Sequence, residues 1–169
     1  MGHNTANTKD EIIRDKDKHI GVTIITEDGC TTPFRATIGS AGYDIHAKGD
    51  YFINPKSQAF ISTGIYLAMS LGFECQIRSR SGLAAKHGVF VLNAPATIDS
   101  DYTGELKVIL YNLGTEQFVI PNGSRIAQLV FASTLPSNLI RGGTLGTTVR
   151  GDGGFGSTGT QTNTQDTGA

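Results

Sequence analysis

A ladder of short apolar runs restricts the fold of this chain more than any other feature. The runs read "VTIIT" at 22–26, "YFI" at 51–53, "QAFISTGIYLAM" at 58–69, "FECQIRS" at 73–79, "VFVL" at 89–92, "ELKVILYNL" at 105–113, "EQFVI" at 116–120 and "RIAQLVFA" at 125–132. Each is β-branched or aromatic in character, and "NP", "LG", "NLG" and "PNGS" divide them with residues that favour turns for known backbone reasons. Many short strands at this spacing predict an all-β fold, a sandwich or jelly roll of antiparallel character.

Alternation within "FECQIRS" places its side chains. Phe73, Cys75 and Ile77 face one side and Glu74, Gln76 and Arg78 the other, with Ser79 ending the strand on the apolar side. Only "SGLAAKHG" at 81–88 reads as a helix, one or two turns with Ser81 as candidate cap and Gly88 as terminator.

With 169 residues, 38% of them hydrophobic, the chain has material for one moderate core. Residues 1–19 alternate acids, bases, Asn and Thr without an apolar stripe and are expected to be a disordered arm. The core is expected over 20–135, a flexible glycine-rich C-terminal arm over 136–159 and a disordered tail over 160–169. A formal net charge of -1 gives no overall field for stable nucleic-acid binding or for an anionic membrane. No apolar run approaches membrane-spanning length, and the N-terminus lacks the apolar region of a signal peptide. The two cysteines, Cys30 and Cys75, are far apart and imply neither a disulfide scaffold nor a zinc cluster. The expectation is a cytoplasmic protein, intracellular in a host cell if viral.

Four stretches carry polar residues that ask for a reason. "RGDGGFGSTG" at 150–159 combines glycine amides, Arg150 and the hydroxyls of Ser157 and Thr158, a set suited to an anion, with Phe155 able to cover a flat ring; it also reads as a plain glycine-rich linker. "SAGYDIHA" at 40–47 holds Asp44, which fits either a turn or an ion pair. "RSRSGLAAK" at 78–86 sets Arg80 and Ser81 where backbone N–H groups and a guanidinium can converge on phosphate, or where a helical turn is simply capped. "NAPATIDSDYTGE" at 93–105 carries Asp99 and Asp101. If this stretch is extended, the two acids point the same way, and one buried against Ile98 and Tyr102 would have a raised pKa suited to taking a proton from water; the pair also suits a divalent ion.

In order, "AGYDIHA", "RSGLAAKHG", "NAPATIDSDYTGELKV", "GSRIAQLVF" and "RGDGGFGSTG" resemble the five motifs of the trimeric dUTP pyrophosphatases (dUTPases), over about residues 20–159. The resemblance implies a β-jelly roll of the β-clip-like dUTPase type, a homotrimer with three shared active sites, and hydrolysis of dUTP to dUMP and pyrophosphate with Mg²⁺. Such a reaction lowers dUTP and supplies dUMP for dTMP synthesis. It implies Asp99 as the general base for water attacking the α-phosphorus, with Arg80, Ser81, Gln128 and Arg150 as the other catalytic residues. Asp44 would orient water around a Mg²⁺ ion held mainly by the substrate phosphates. Arg80, Ser81 and Gly82 would contact the α- and β-phosphates. Asn93 and the backbone of Thr97, Ile98 and Asp99 would read uracil, and Tyr102 would lie under the deoxyribose. Arg150 would meet the γ-phosphate, with Gly156, Ser157 and Thr158 as further donors and Phe155 over the base. The sixteen residues 135–150, fully extended, span at most about 50 Å, enough for the arm to reach a neighbouring subunit.

Four positions depart from the family pattern. Ser79 stands where Pro is common, which predicts a looser strand exit. Ala96 replaces a frequent Gly, at a cost of ~1 kcal/mol if that residue needs positive φ. Thr103 and Ser124 stand where a charged residue is usual, so a salt link near each is lost. Two other readings remain: a deaminase of the same fold acting on dCTP, and a regulatory trimer in which nucleotide only repositions the arm.

Overall fold

The computed structural model describes residues 20–154, which divide after Pro136 into two compact units. The expected arms at 1–19 and 160–169 lie outside the described residues, as do Phe155, Gly156, Ser157 and Thr158.

The first unit is built from β1 (Val22–Thr26), β2 (Tyr43–His46), β3 (Tyr51–Ile53), β4 (Ser57–Ser62), β5 (Ile65–Met69), β6 (Phe73–Ser79), β7 (Val89–Val91), β8 (Ala96–Ile98), β9 (Lys107–Asn112), β10 (Phe118–Ile120) and β11 (Arg125–Ser133), with helix α1 at Ser81–His87. A four-stranded sheet runs β2-β11-β6-β8 and a three-stranded one β4-β9-β7, with the pairs β1-β5 and β3-β10 completing the set. Every pairing is antiparallel. This is a mostly β structure consistent with a dUTPase-like jelly roll. Among the described residues no helix is long and apolar enough to cross a membrane.

The core is dominated by β-branched side chains. Ile45, Ile53, Ile61, Ile65, Ile77, Ile120, Ile126, Val89 and Val91 are all under 3% exposed, and each such side chain stabilises the fold by about 2 kcal/mol when removed from water. These residues have one preferred χ1, so ordering them in a strand loses little freedom. Asn112 is buried among them and fully used: its amide donates to the carbonyls of Ile53 (2.9 Å) and Glu116 (2.8 Å) and its oxygen accepts from Gly114 N–H (2.9 Å). Burial pushes the Cys75 thiol up to about 12, with the Glu74 charge adding to it, so Cys75 is core and not nucleophile.

Several expectations are corrected. The run 58–69 is two strands, because Thr63 and Gly64 turn the chain at φ +67. The Cys30 sulfur lies 2.5 Å from where a Gly64 Cβ would sit, so the corner excludes a side chain on two counts. Stretches 40–47 and 93–105, which lie outside the apolar runs, each contain a strand, β2 and β8. Ser81 is not the cap but the first helical residue. The cap position belongs to Arg80, extended at φ -85, ψ 126 without a side-chain capping bond. Gly88 does terminate α1, left-handed at φ 65, with its N–H donating to Ala84 O.

Two of the departures look different in the fold. Ser79 ties the strand exit rather than loosening it, because its hydroxyl accepts a hydrogen bond from Val91 N–H at 2.9 Å, which joins β6 to β7. Ala96 lies in β8 opposite Ile77 and is not among the residues with positive φ, so the Gly-to-Ala cost does not arise.

Candidate active site

Strand β11 sets the first half of the site. It lies between β2 and β6, with Gln128 opposite both Asp44 and Arg78. Simple alternation would put Arg125 and Gln128, three residues apart, on opposite faces. The register with β2 shifts between Arg125 and Ala127, and that irregularity restores both to one side. A cleft of about 470 Å³ results, lined by Gly42, Asp44, Arg78, Arg80, Ser81, Gly82, Arg125 and Gln128 among others.

Asp44 is the electrostatic centre of this cleft. It is 9% exposed, and its two oxygens are divided between two guanidiniums: Arg80 Nε at 3.3 Å and Arg125 Nη1 at 3.1 Å. Arg80 Nη1 also donates to Arg125 O at 3.0 Å, so the guanidinium plane is fixed from two sides. Of the alternatives open to Asp44, the ion pair is the one formed. Three arginines against one carboxylate leave the lining with excess positive charge, directed at an anion. The first turn of α1 closes through Leu83 and Ala84 N–H to Arg80 O, each 3.1 Å, and the Ser81 and Gly82 amides precede those bonds at the cleft wall. Gly42 is required here. A Cβ on it would fall 2.2 Å from Gln128 Oε1.

A second cleft, about 490 Å³, is lined by Phe60, Thr97, Ile98, Asp99, Tyr102, Glu105, Leu106, Lys107 and Ile109. Asp99 follows β8 and opens a turn closed by Tyr102 N–H to Asp99 O at 3.2 Å. The chain is therefore not extended through Asp101, and Asp99 is exposed, so the expected burial against Ile98 and Tyr102 is absent from the protomer. Asn93 sits exposed in the turn between β7 and β8 and lines neither cleft.

The two clefts share no lining residue. Their separation follows from register: Ile98 is opposite Cys75 and Ala96 opposite Ile77, so Asp99 continues level with the start of β6 while Arg80 leaves its far end. Six residues of strand put them about 20 Å apart.

In the second unit, Arg150 sits in a local turn, its Nε donating to Gly153 O at 2.7 Å, with Gly153 N–H to Arg150 O at 3.0 Å and Gly151 at φ 54. Among the described residues no group of three His, Cys, Asp or Glu side chains could hold a metal ion. Asp44 has lone pairs left after its two ion pairs, which suits contact with an ion's water shell better than direct ligation.

Sequence reasoning missed Arg125, Gly42 and Glu105. The signal for Arg125 was a lone base three residues before Gln128; only the register shift turns that spacing into a shared face.

The dUTPase family profile matches residues 28–159. The chain is 44% identical over 143 residues to the deoxyuridine 5'-triphosphate nucleotidohydrolase of Treponema pallidum subsp. pallidum, covering 83% of this chain and 98% of the relative. It is 51% identical over 127 residues to the enzyme of that name from Wolinella succinogenes, covering 75% and 85% respectively. Among solved structures, the dUTPase of Staphylococcus bacteriophage 80alpha with dUPNHPP superposes with a TM-score of 0.74 at 25% identity, over 83% of this chain and 99% of that one. A phage phi11 dUTPase variant, described with a structural Mg(II) ion, has a TM-score of 0.69 at 19% identity, over 75% and 99%, a likeness of fold alone.

Proposed function

The chain belongs to the dUTPase family and hydrolyses dUTP to dUMP and pyrophosphate, and from that premise we propose that the reaction runs in a seam between subunits of a homotrimer. One observation carries the reading: Asp99 and Arg80 lie at opposite ends of β6. A base and a phosphate-binding arginine some 20 Å apart cannot serve the same phosphorus within one protomer. A neighbour's Asp99 cleft facing this chain's Arg80 cleft brings them together, and it also covers Phe60, which is 58% exposed.

In that seam the phosphates lie in the Asp44 cleft. Arg80, the amides of Ser81 and Gly82 and the Gln128 amide receive the α- and β-phosphates, with Ser81 on the leaving side. Because Asp44 and Arg125 already fix the Arg80 guanidinium, its donors need little reorganisation as charge develops on the phosphoryl oxygens. Mg²⁺ carried on the phosphates, its water shell meeting Asp44, would supply further charge neutralisation.

The neighbour's hairpin reads the base. The backbone at Thr97, Ile98 and Asp99, with Asn93 nearby, matches the donors and acceptors of uracil, and cytosine would set a donor against a donor. Tyr102 lies beneath the deoxyribose and leaves no room for a 2′-hydroxyl. Asp99, enclosed once the seam forms, takes the proton of the water that attacks the α-phosphorus in line, so no covalent enzyme intermediate forms. The arm of a third subunit brings Arg150 to the γ-phosphate, Gly156, Ser157 and Thr158 to the phosphate chain and Phe155 over the ring, excluding bulk water.

Subunit mixing tests the reading. Asp99→Asn and Arg80→Ala proteins, each inactive alone, should regain pyrophosphate release when unfolded together and refolded, because a mixed trimer contains a seam with both residues native. Failure of any mixture to regain activity, with mixed trimers demonstrated by mass, would show that one protomer supplies both groups.

A further inference from the structure

The Asp99 cleft contains a carboxylate that the mechanism above leaves unused. Glu105, whose side chain is 18% exposed, follows the catalytic turn but points back into the protein. Its Oε1 accepts two backbone hydrogen bonds, from Thr63 N–H at 3.1 Å and Gly64 N–H at 3.0 Å, and Lys107 Nζ lies 3.6 Å from its Oε2. The same corner is tied to the next residue: Thr63 Oγ1 donates to Leu106 O at 2.6 Å and Leu106 N–H donates to Ile65 O at 2.8 Å. The β4–β5 corner is itself rigid, since Glu27 N–H donates to Gly64 O at 2.9 Å and the Cys30 sulfur fills the space beside Gly64. Glu105 is thus bolted to a fixed point of the core.

What Glu105 holds is Tyr102. The phenol O–H donates to Glu105 O at 3.0 Å. The ring lies flat against residue 104: a Cβ on Gly104 would fall 2.6 Å from Tyr102 Oη and 2.7 Å from Cζ. Tyr102 N–H in turn closes the turn on Asp99 O. A continuous set of bonds therefore runs from Gly64 through Glu105 to Tyr102 and on to the backbone of the base.

We propose that Glu105 is a positioning residue that fixes the Tyr102 ring and so sets the discrimination between a deoxyribose and a ribose triphosphate. The inference rests on the reading of Tyr102 as the floor beneath the sugar. Exclusion of one hydroxyl by contact needs a wall that does not yield, and Tyr102, 44% exposed, has little packing of its own to hold it. The two charge-assisted bonds at Glu105 and the absence of a Cβ at Gly104 supply that rigidity.

The ratio of kcat/KM for dUTP to that for UTP is the readout, because general loosening of the fold lowers both terms together. Glu105→Ala should reduce the ratio about tenfold, within the range that one small group commands in a pocket. Glu105→Gln, which keeps an oxygen for the Thr63 and Gly64 amides, should restore most of it. Tyr102→Phe keeps the ring but loses its bond to Glu105 O, so it should lower the ratio severalfold even if Glu105→Ala fails to fold. An unchanged ratio in Tyr102→Phe, or in a folded Glu105→Ala, overturns the proposal. Tyr102→Ala separates the two levels: if it collapses the ratio while Glu105→Ala does not, only the role of Glu105 falls. An unchanged ratio in Tyr102→Ala removes the sugar-floor reading and the proposal with it.

Discussion

The cleft at Asp44 and the cleft at Asp99 lie level with opposite ends of one strand, β6, yet their charged groups are held in different ways. At Asp44 the carboxylate is 9% exposed and shared between Arg80 and Arg125, and Arg80 is held a second time by a backbone carbonyl. At Asp99 the carboxylate is exposed at the head of a turn, and the rigid parts of the cleft are its neighbours, Glu105 and Tyr102. The difference teaches that, on the proposed reading, the protomer finishes its anion-binding half alone and leaves its chemical half open. A phosphate site gains from donors fixed in advance. A general base gains from low-dielectric enclosure, which in the proposed trimer a neighbouring subunit would supply at Asp99.

Asp99→Asn should break the comparison most sharply. It removes the proposed proton acceptor with nearly no change of shape, so turnover of dUTP should fall by about 10²–10⁴-fold, while equilibrium binding of dUTP should stay close to the native value because the Asp44 cleft is untouched. Pyrophosphate release and calorimetric binding measured on the same preparation check both halves; unchanged release would mean that the base is elsewhere.

Arg125→Ala strikes the other cleft and should act through binding. It leaves Asp44 Oδ2 without its 3.1 Å partner, so an uncompensated carboxylate charge faces the phosphates, while Arg80 keeps both Asp44 Oδ1 and the main-chain carbonyl of residue 125. A hydrogen bond to a charged group contributes about 1.5–3 kcal/mol, so kcat/KM should fall roughly 10- to 100-fold, chiefly in KM. Arg125→Lys should recover only part, since an ammonium is a point charge without the fork that aligns on a carboxylate. A fall confined to kcat would show that the two clefts are not as separate as their linings suggest.

Gly42→Ala probes the same cleft more gently. The added Cβ would meet the far end of Gln128, which can swing away, and also Gln128 Cβ at 3.0 Å, which cannot, so β2 and β11 must part slightly and the fold should survive with a modestly lowered Tm. Loss of one neutral hydrogen bond, about 1 kcal/mol, predicts roughly a fivefold drop in kcat/KM. An unaltered Tm instead would show that the two strands yield beside Gln128 without strain.

This contrast also explains what the sequence revealed. Runs such as "RIAQLVFA" and "KVILYN" announce strands because β-branched residues are both strand formers and core fillers, and β11 and β9 lie where those runs are. "YDIH" and "ATI" are too short and too polar to announce anything, and they become β2 and β8 only because β11 and β6 supply partners for their backbones. Motif residues were readable one by one, since their chemistry is local. Arg125 on Asp44, Gly42 under Gln128 and the Glu105 anchor to Gly64 join residues about 40 to 90 positions apart, and no spacing rule contains those pairs.

His46 gives the smallest effect and tests whether the Asp44 cleft reaches into the core behind it. The ring stacks on Phe34 at 5.7 Å between centroids and is 9% exposed, with its Nδ1 buried and without a hydrogen-bond partner among the described residues. Burial lowers its pKa; the charge of Asp44 works against that shift, and Arg125 and Arg80 reinforce it. A histidine whose folded pKa lies below its unfolded value, near 6.5, takes up protons more readily when unfolded. Its contribution to stability is therefore fully present above about pH 6.5 and is lost as pH falls through the lower folded value. His46→Phe keeps the stack and removes the titration, so its Tm should decline less steeply than the native protein's between neutral and mildly acidic pH. Adding Asp44→Asn to the native histidine removes the one charge that favours protonation and should carry the loss to still lower pH. Parallel Tm curves for the native and His46→Phe proteins would mean that the ring is solvated well enough to titrate normally, and that the tight electrostatics of this cleft end at its arginines.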